Sequence, residues 1–315
     1  MSVSLQPIGK KRVYTKSLPR RMWEGRYFYL LILPGLAYFL LFRYVPMYGI
    51  QLAFKSFNTN LGIMRSPWVG IENFQYLFVN NEFWYSVRNT LIISYLQIMF
   101  CFPFPILLAL LLNELRILKY KRFVQTVFTF PHFLSWVLVS GIVLNILSMN
   151  GAINNLITML GGARYQFMTD KGLFRAILIF FNLWKSSGWN CILYLAAITA
   201  IDPALYEAAT IDGANRWHRM RYVTWPGIST IVVVTLILRI GYTMDAGFDQ
   251  VINMYNSAVF EVSDIIDTYI YRITFQRPTN FGVSTAVGLF KGVTNCALLL
   301  SANFLTKRTG GTGLV

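Results

Sequence analysis

Six apolar stretches, at about 27–49, 90–112, 123–147, 174–200, 225–244 and 283–305, limit what this chain can fold into. Each is near the roughly 20 residues that an α-helix needs to cross about 30 Å of hydrocarbon. In lipid a backbone must satisfy its own amides and carbonyls, so stretches of this kind become helices. The expectation is an all-α, polytopic membrane protein with six transmembrane helices.

Composition points the same way. Of 315 residues, 55% are hydrophobic and only 13% charged, far from the balance of an ordinary soluble domain. Aromatics make up 16%, which suits interfacial belts as well as packing. A net charge of +15 fits nucleic-acid binding in principle, but these cations sit in short loops beside apolar stretches, so topology is the better reading. Cys101, Cys191 and Cys296 all fall in apolar stretches, with neither metal spacing nor a disulfide framework. The first 26 residues are polar and basic, without the apolar region or cleavage site of a secretory signal.

Orientation follows from lysine and arginine. One side holds Lys10, Lys11, Arg12, Lys16, Arg20, Arg21 and Arg26, then Arg116, Lys119, Lys121 and Arg122. The same side gains Arg216, Arg219, Arg221, Lys307 and Arg308. The fifth loop, on the other side, carries Asp249, Glu261, Asp264 and Asp267. The positive-inside rule then puts both termini and the loop 201–223 in the cytoplasm. The expected organisation is a basic cytoplasmic segment 1–26, a transmembrane domain 27–305 and a cytoplasmic tail 306–315.

The loop 201–223 reads as a polar helical hairpin. Asp202 suits an N-cap, and Pro203 the first helical position, where no amide donor is needed. Gly213 can take the left-handed conformation that ends a helix. A second amphipathic segment, 214–223, carries Arg216, His218, Arg219 and Arg221. Such a hairpin cannot sit in lipid and is therefore a knob at a membrane face.

Glu207-Ala208-Ala209, Asp212-Gly213-Ala214 and the following Pro226 resemble the EAA loop of permease subunits in binding-protein-dependent ABC importers. In that family the loop contains the coupling helix, which docks into a separate ATPase. The resemblance implies that Glu207, Ala208, Ala209, Asp212, Gly213 and Ala214 form the ATPase contact, with Gly213 allowing the chain reversal. Gly70-Ile71-Glu72-Asn73-Phe74, then Phe83-Trp84 and Asn89-Thr90, look like the entry to the second span in carbohydrate importer permeases. The run 131–157, the segment Trp184-Lys185-Ser186-Ser187-Gly188-Trp189-Asn190 and the segment Ser263-Asp264-Ile265-Ile266-Asp267-Thr268-Tyr269 are similar to the lipo-oligosaccharide and polysaccharide-fragment branch.

The family implies a functional unit of two permeases, here with a second related chain, two cytoplasmic ATPase subunits and an external solute-binding protein. It implies a bacterial cytoplasmic (inner) membrane and alternating access, with ATP and magnesium used by the partner ATPase and no cofactor bound by this chain. The residues themselves offer no catalytic or metal constellation. There is no G-x-x-x-x-G-K-[ST] phosphate loop, and His132 and His218 are too few and too far apart for a metal or triad site.

Polar residues at membrane depth, among them Lys185, Arg43, Arg239 and Lys291, are the substrate-site candidates, because each is costly unless it faces water or a partner. Trp184, Lys185, Trp189 and Asn190 are expected to line a cavity whose cationic character suits acidic, uronate-containing saccharides. Structural alternatives stand beside that reading. Lys185 has Asp245 or backbone carbonyls as other partners, and Arg43 and Arg239 read as interfacial residues that snorkel. Pro103, Pro105 and Pro131 bend their helices. Two rival functions remain at this stage: a permease of the same superfamily for another solute, and a membrane scaffold that recruits a partner through the hairpin.

Overall fold

The structure, a computed structural model, describes residues 23–276, 280–308 and 313. The N-terminal cations Lys10, Lys11, Arg12, Lys16, Arg20 and Arg21, and residues 309–312, 314 and 315 of the tail, lie outside the described residues. Among the described residues the backbone is helical apart from its loops and one isolated antiparallel bridge between Lys55 and Trp68. The chain divides into two compact units, Met1–Gln51 and Leu52–Val315.

Four described helices are long and apolar enough to cross a membrane: Arg26–Phe54, Asn81–Glu114, Arg216–Gly241 and Phe281–Arg308. Two bent pairs raise the count to six. They are Leu118–Phe133 with Trp136–Ile146, and Lys171–Thr199 with Pro203–Ile211. The helix Lys171–Thr199 meets the hydropathy criterion only together with Pro203–Ile211, because Asn182, Lys185, Ser186, Ser187 and Asn190 dilute its middle.

The second span starts at Asn81 rather than near residue 90. Asn80 caps it by accepting from the Glu82 amide at 2.9 Å. Its first turns are too polar for a hydropathy reading because they pack against the loop after the fifth span. There the buried Asn89 donates to the carbonyls of Glu261 and Asp264, both at 3.0 Å.

The third span differs most from expectation. It bends by 101° between Phe133 and Trp136, where a single helix over 123–147 was expected. Phe130–Phe133 tightens into a 3-10 turn with Pro131 in its first turn. Leu134 is extended, and Ser135 starts a new helix by accepting from the Leu138 amide at 3.3 Å. Proline supplies no amide donor, so this turn leaves carbonyls in need of partners.

Three apolar clusters hold the second unit together. Ile93, Val143, Phe174, Leu178, Val251 and Met254 join the second, third and fourth spans to the loop after the fifth. Ile106, Leu112, Cys191, Tyr194, Ile198 and Ile228 join the second, fourth and fifth spans. Leu77, Phe83, Met244, Ile266, Tyr269 and Val283 gather the sixth span onto its outer helices. Lipid offers no hydrophobic drive between helices, so close fit sets these contacts. Gly188 shows the closeness: a Cβ there would lie 2.2 Å from the backbone carbonyl carbon and oxygen of Phe128.

Candidate functional site

A cavity of about 520 Å³ opens among the second, fourth and fifth spans. The fourth span supplies Asn182, Ser186, Trp189, Asn190 and Leu193. Their spacing of three and four residues puts them on one helical face. The fifth span adds Thr235 and Arg239, and the segment beyond it adds Asp245. Tyr194 completes the wall beside Thr235, with their hydroxyl oxygens 3.0 Å apart.

The second span contributes through a distortion. Pro103 lacks an amide, and its ring crowds the carbonyl four residues back. The ladder widens into a π turn over Gln97–Cys101, in which the Phe102 amide donates to the Gln97 carbonyl at 3.2 Å. This turn aims the buried Gln97 side chain at the cavity, a position π bulges often serve. Gln97 donates through Nε2 to the Ala246 carbonyl at 3.2 Å, and its Oε1 accepts from Arg239 Nη2.

Asp245 belongs to a second group behind the wall. Lys291 Nζ donates to Asp245 Oδ1 at 2.5 Å and to Asp267 Oδ1 at 2.6 Å. Asn295 Nδ2 donates to Asp245 Oδ2 at 3.3 Å, and Asn295 Oδ1 accepts from the Met244 amide at 3.0 Å. Sixth span, outer helix and cavity wall are thus tied together. Burial holds the Asp267 carboxyl above its ordinary range, against the opposing pull of Lys291.

Of the four residues expected to line a cavity, Trp189 and Asn190 do so. Trp184 falls on the opposite side of the helix, and Lys185 faces the third span. The Lys185 amine donates to the His132 carbonyl at 2.8 Å and lies 5.4 Å from the Trp136 ring centroid. It therefore takes up a carbonyl at the break in the third span, one of the structural alternatives. Trp189 stacks on His132 with centroids 4.5 Å apart and planes at 4°. Arg239, a polar candidate at membrane depth with an interfacial position as its structural alternative, lines the cavity. Its link to Gln97 spans 142 residues and leaves no local trace in the sequence, where polarity at depth pointed to Arg239 but not to Gln97. Arg43 lies exposed in the first unit, in the π turn Leu40–Tyr44. No group of three or more metal-ligating side chains occurs among the described residues.

The loop 201–223 takes up local turns that its residues dictate. Asp202 accepts from the Ala204 amide at 2.9 Å, Pro203 opens the helix Pro203–Ile211, and Gly213 follows at φ +75°. The Ala214 amide then donates to the Ala209 carbonyl at 2.9 Å. Asn215 caps the next turn through the His218 amide, and Arg219 reaches back to the Thr210 hydroxyl at 3.2 Å. Glu207, Ala208, Asp212 and Gly213 are exposed, while Ala209 and Ala214 are half-buried. Ile211, at 87% exposed, is the apolar tip of the knob.

Four to six helices long and apolar enough to cross a membrane, with a polar and aromatic cavity among three of them, fit a polytopic membrane protein. The chain belongs to the family described as the inner membrane component of binding-protein-dependent transport systems, whose profile matches residues 84–310. It is 45% identical over 305 residues to the polygalacturonan/rhamnogalacturonan transport system permease protein YteP of Bacillus subtilis, covering 96% of this chain and 95% of that one. It is 43% identical to the protein LplB of the same organism, over 97% and 95% of the two chains. Among solved structures, a chain of a bacterial alginate ABC transporter in complex with an alginate pentasaccharide-bound periplasmic protein superimposes with a TM-score of 0.85. That chain is 38% identical, and the match covers 94% of this protein and 99% of it.

Proposed function

We propose that this chain is a permease subunit of an ATP-driven importer of oligosaccharides or polysaccharide fragments, acidic ones included. The observation that carries the reading is likeness along nearly the whole chain to a relative named for polygalacturonan and rhamnogalacturonan transport. Both are uronate-containing polymers, and alginate, named for the solved neighbour, is another. A cavity with amide, hydroxyl, indole and guanidinium groups suits such a solute, since sugars combine many hydroxyls with flat apolar faces.

In this reading an external solute-binding protein delivers the sugar, and a second, related permease completes the pathway. Two cytoplasmic ATPase subunits bind ATP and magnesium. The hairpin from Glu207 to Ala214 is the coupling element, with both termini on its side of the membrane. Its exposed apolar tip and braced base support that role: a knob that transmits force must be stiff and must end in surface another protein can bury. Alternating access follows if closure of the ATPases moves the knobs and the knobs move the spans.

The test is a gentle-detergent pull-down of the tagged chain from its own host, with partners identified by mass spectrometry. Recovery of an ATPase, a second permease and a solute-binding protein is expected. A chain recovered alone, under conditions that preserve a known importer, would overturn the reading.

A further inference from the structure

We propose that Arg239, oriented by Gln97, is the residue that recognises the carboxylate of a uronate-containing saccharide inside the cavity. The inference rests on the sugar-import reading above and adds to it a specificity-determining residue.

Four observations lead there. Arg239 lines the cavity in the last turn of the fifth span, and among the described residues it forms no ion pair. A cation at membrane depth is costly; here the charge of Asp245 across the cavity offsets it, yet no carboxylate touches the guanidinium, which stays open to a solute. Gln97 accepts from one guanidinium nitrogen and is itself anchored on the Ala246 carbonyl, which sets the direction of the group. A guanidinium has five donors in a planar fork, so others remain for a carboxylate, whose two oxygens match that fork.

The mid-span lysines of the fourth and sixth spans are committed. Lys185 spends its amine on the His132 carbonyl. Lys291 is shared between Asp245 and Asp267. Those three side chains carry one net negative charge, and Arg239 brings the four to neutrality. Asp245 faces the cavity, but Oδ1 accepts from Lys291 and Oδ2 from Asn295. An incoming carboxylate therefore meets one free donor fork rather than a general positive field. Discrimination by charge should then reside at Arg239 and be insensitive to Lys185.

The test uses the complete importer purified from its host and reconstituted in proteoliposomes. Uptake of tri-galacturonate is compared with uptake of its neutral methyl ester, for the wild type and for Arg239→Gln, Arg239→Lys and Lys185→Met. Arg239→Gln should lower the acid-to-ester uptake ratio by about tenfold or more, the loss expected for charge-assisted hydrogen bonds. Arg239→Lys, which keeps the charge and loses the fork, should fall between, and Lys185→Met should leave the ratio unchanged. Because a ratio is read, reduced assembly of a variant cancels. If Arg239→Gln fails to assemble at all, Arg239→Lys decides by the same ratio. A wild-type ratio in both Arg239 variants overturns the proposal and leaves the import reading intact. A wild type that takes up neither sugar under ATP overturns both.

Discussion

The ammonium of Lys185 donates to the carbonyl of His132 at 2.8 Å, tying the middle of the fourth span to the break in the third. Lys185 is buried, and its other near neighbour is the ring of Trp136 just beyond the break. The broken turn therefore has a partner supplied from 53 residues away.

Replacing Lys185 by methionine keeps the volume and removes the donor. The His132 carbonyl then loses its partner, at a cost of about 1–3 kcal/mol. The expected outcome is a lower unfolding temperature for the detergent-solubilised complex, with acidic and neutral sugars affected alike. A selective loss of acidic substrate would return Lys185 to the list of binding residues.

Gly188 permits the same approach of the fourth span to the third. Its Cβ would meet backbone of Phe128 and Thr129, neither of which can rotate away as a flexible side chain can. Gly188→Ala should separate the two spans and cost about 1–3 kcal/mol by overpacking. Loss of complex from the membrane fraction, measured by quantitative blotting, checks this. A variant assembled at wild-type level and stability would show that the two helices are not held that closely.

Gly213 poses a different problem. At φ +75° and with nothing within 4 Å of where a Cβ would stand, it has room for a side chain but not the conformation for one. Gly213→Val should cost about 1–3 kcal/mol of local strain and re-aim Ile211 without touching the packed spans. The measurement is ATPase recovery in the pull-down. Much reduced ATPase with unchanged second permease is expected, and full recovery would count against a role for this turn.

Two ion pairs made by carboxylates of the loop after the fifth span separate by burial. Arg272 meets Asp264 through two bonds of 2.8 and 2.9 Å, with Thr268 donating to the same carboxylate, and both partners are buried. Asp264→Asn should destabilise by up to about 3–5 kcal/mol, since it leaves a buried guanidinium with only the more distant Glu82, at 3.5 Å, as counter-charge. Lys171 and Glu261 pair at 2.5 Å with side chains 54% and 70% exposed, and Lys171→Ala should change stability by less than about 1 kcal/mol. Thermal unfolding of the two variants side by side checks the contrast.

What the sequence made legible was local. Hydropathy located the spans, and Asp202, Pro203 and Gly213 marked the hairpin because each acts on its own few amides and carbonyls. The break in the third span was hidden because Phe133, Leu134 and Trp136 are apolar on both sides of it. Hydropathy averages over such a break, and only the Pro131 ring hinted at it. Lys185 was visible as a polar group at depth, but its partner was a carbonyl that only the break makes available. Arg239 was visible in the same way, but its contact with Gln97 was out of reach for another reason. Their meeting depends on how the fifth span is placed against a π turn in the second.

The most direct test of an ATPase-driven permease is a photo-crosslink from the hairpin tip. Ile211 is replaced by a benzophenone-bearing amino acid in the native host, membranes are irradiated, and adducts are identified by mass spectrometry. The expected result is an adduct with a cytoplasmic ATPase subunit, lost when Gly213→Val is added. Adducts with external proteins alone would contradict both the orientation and the coupling role of the hairpin.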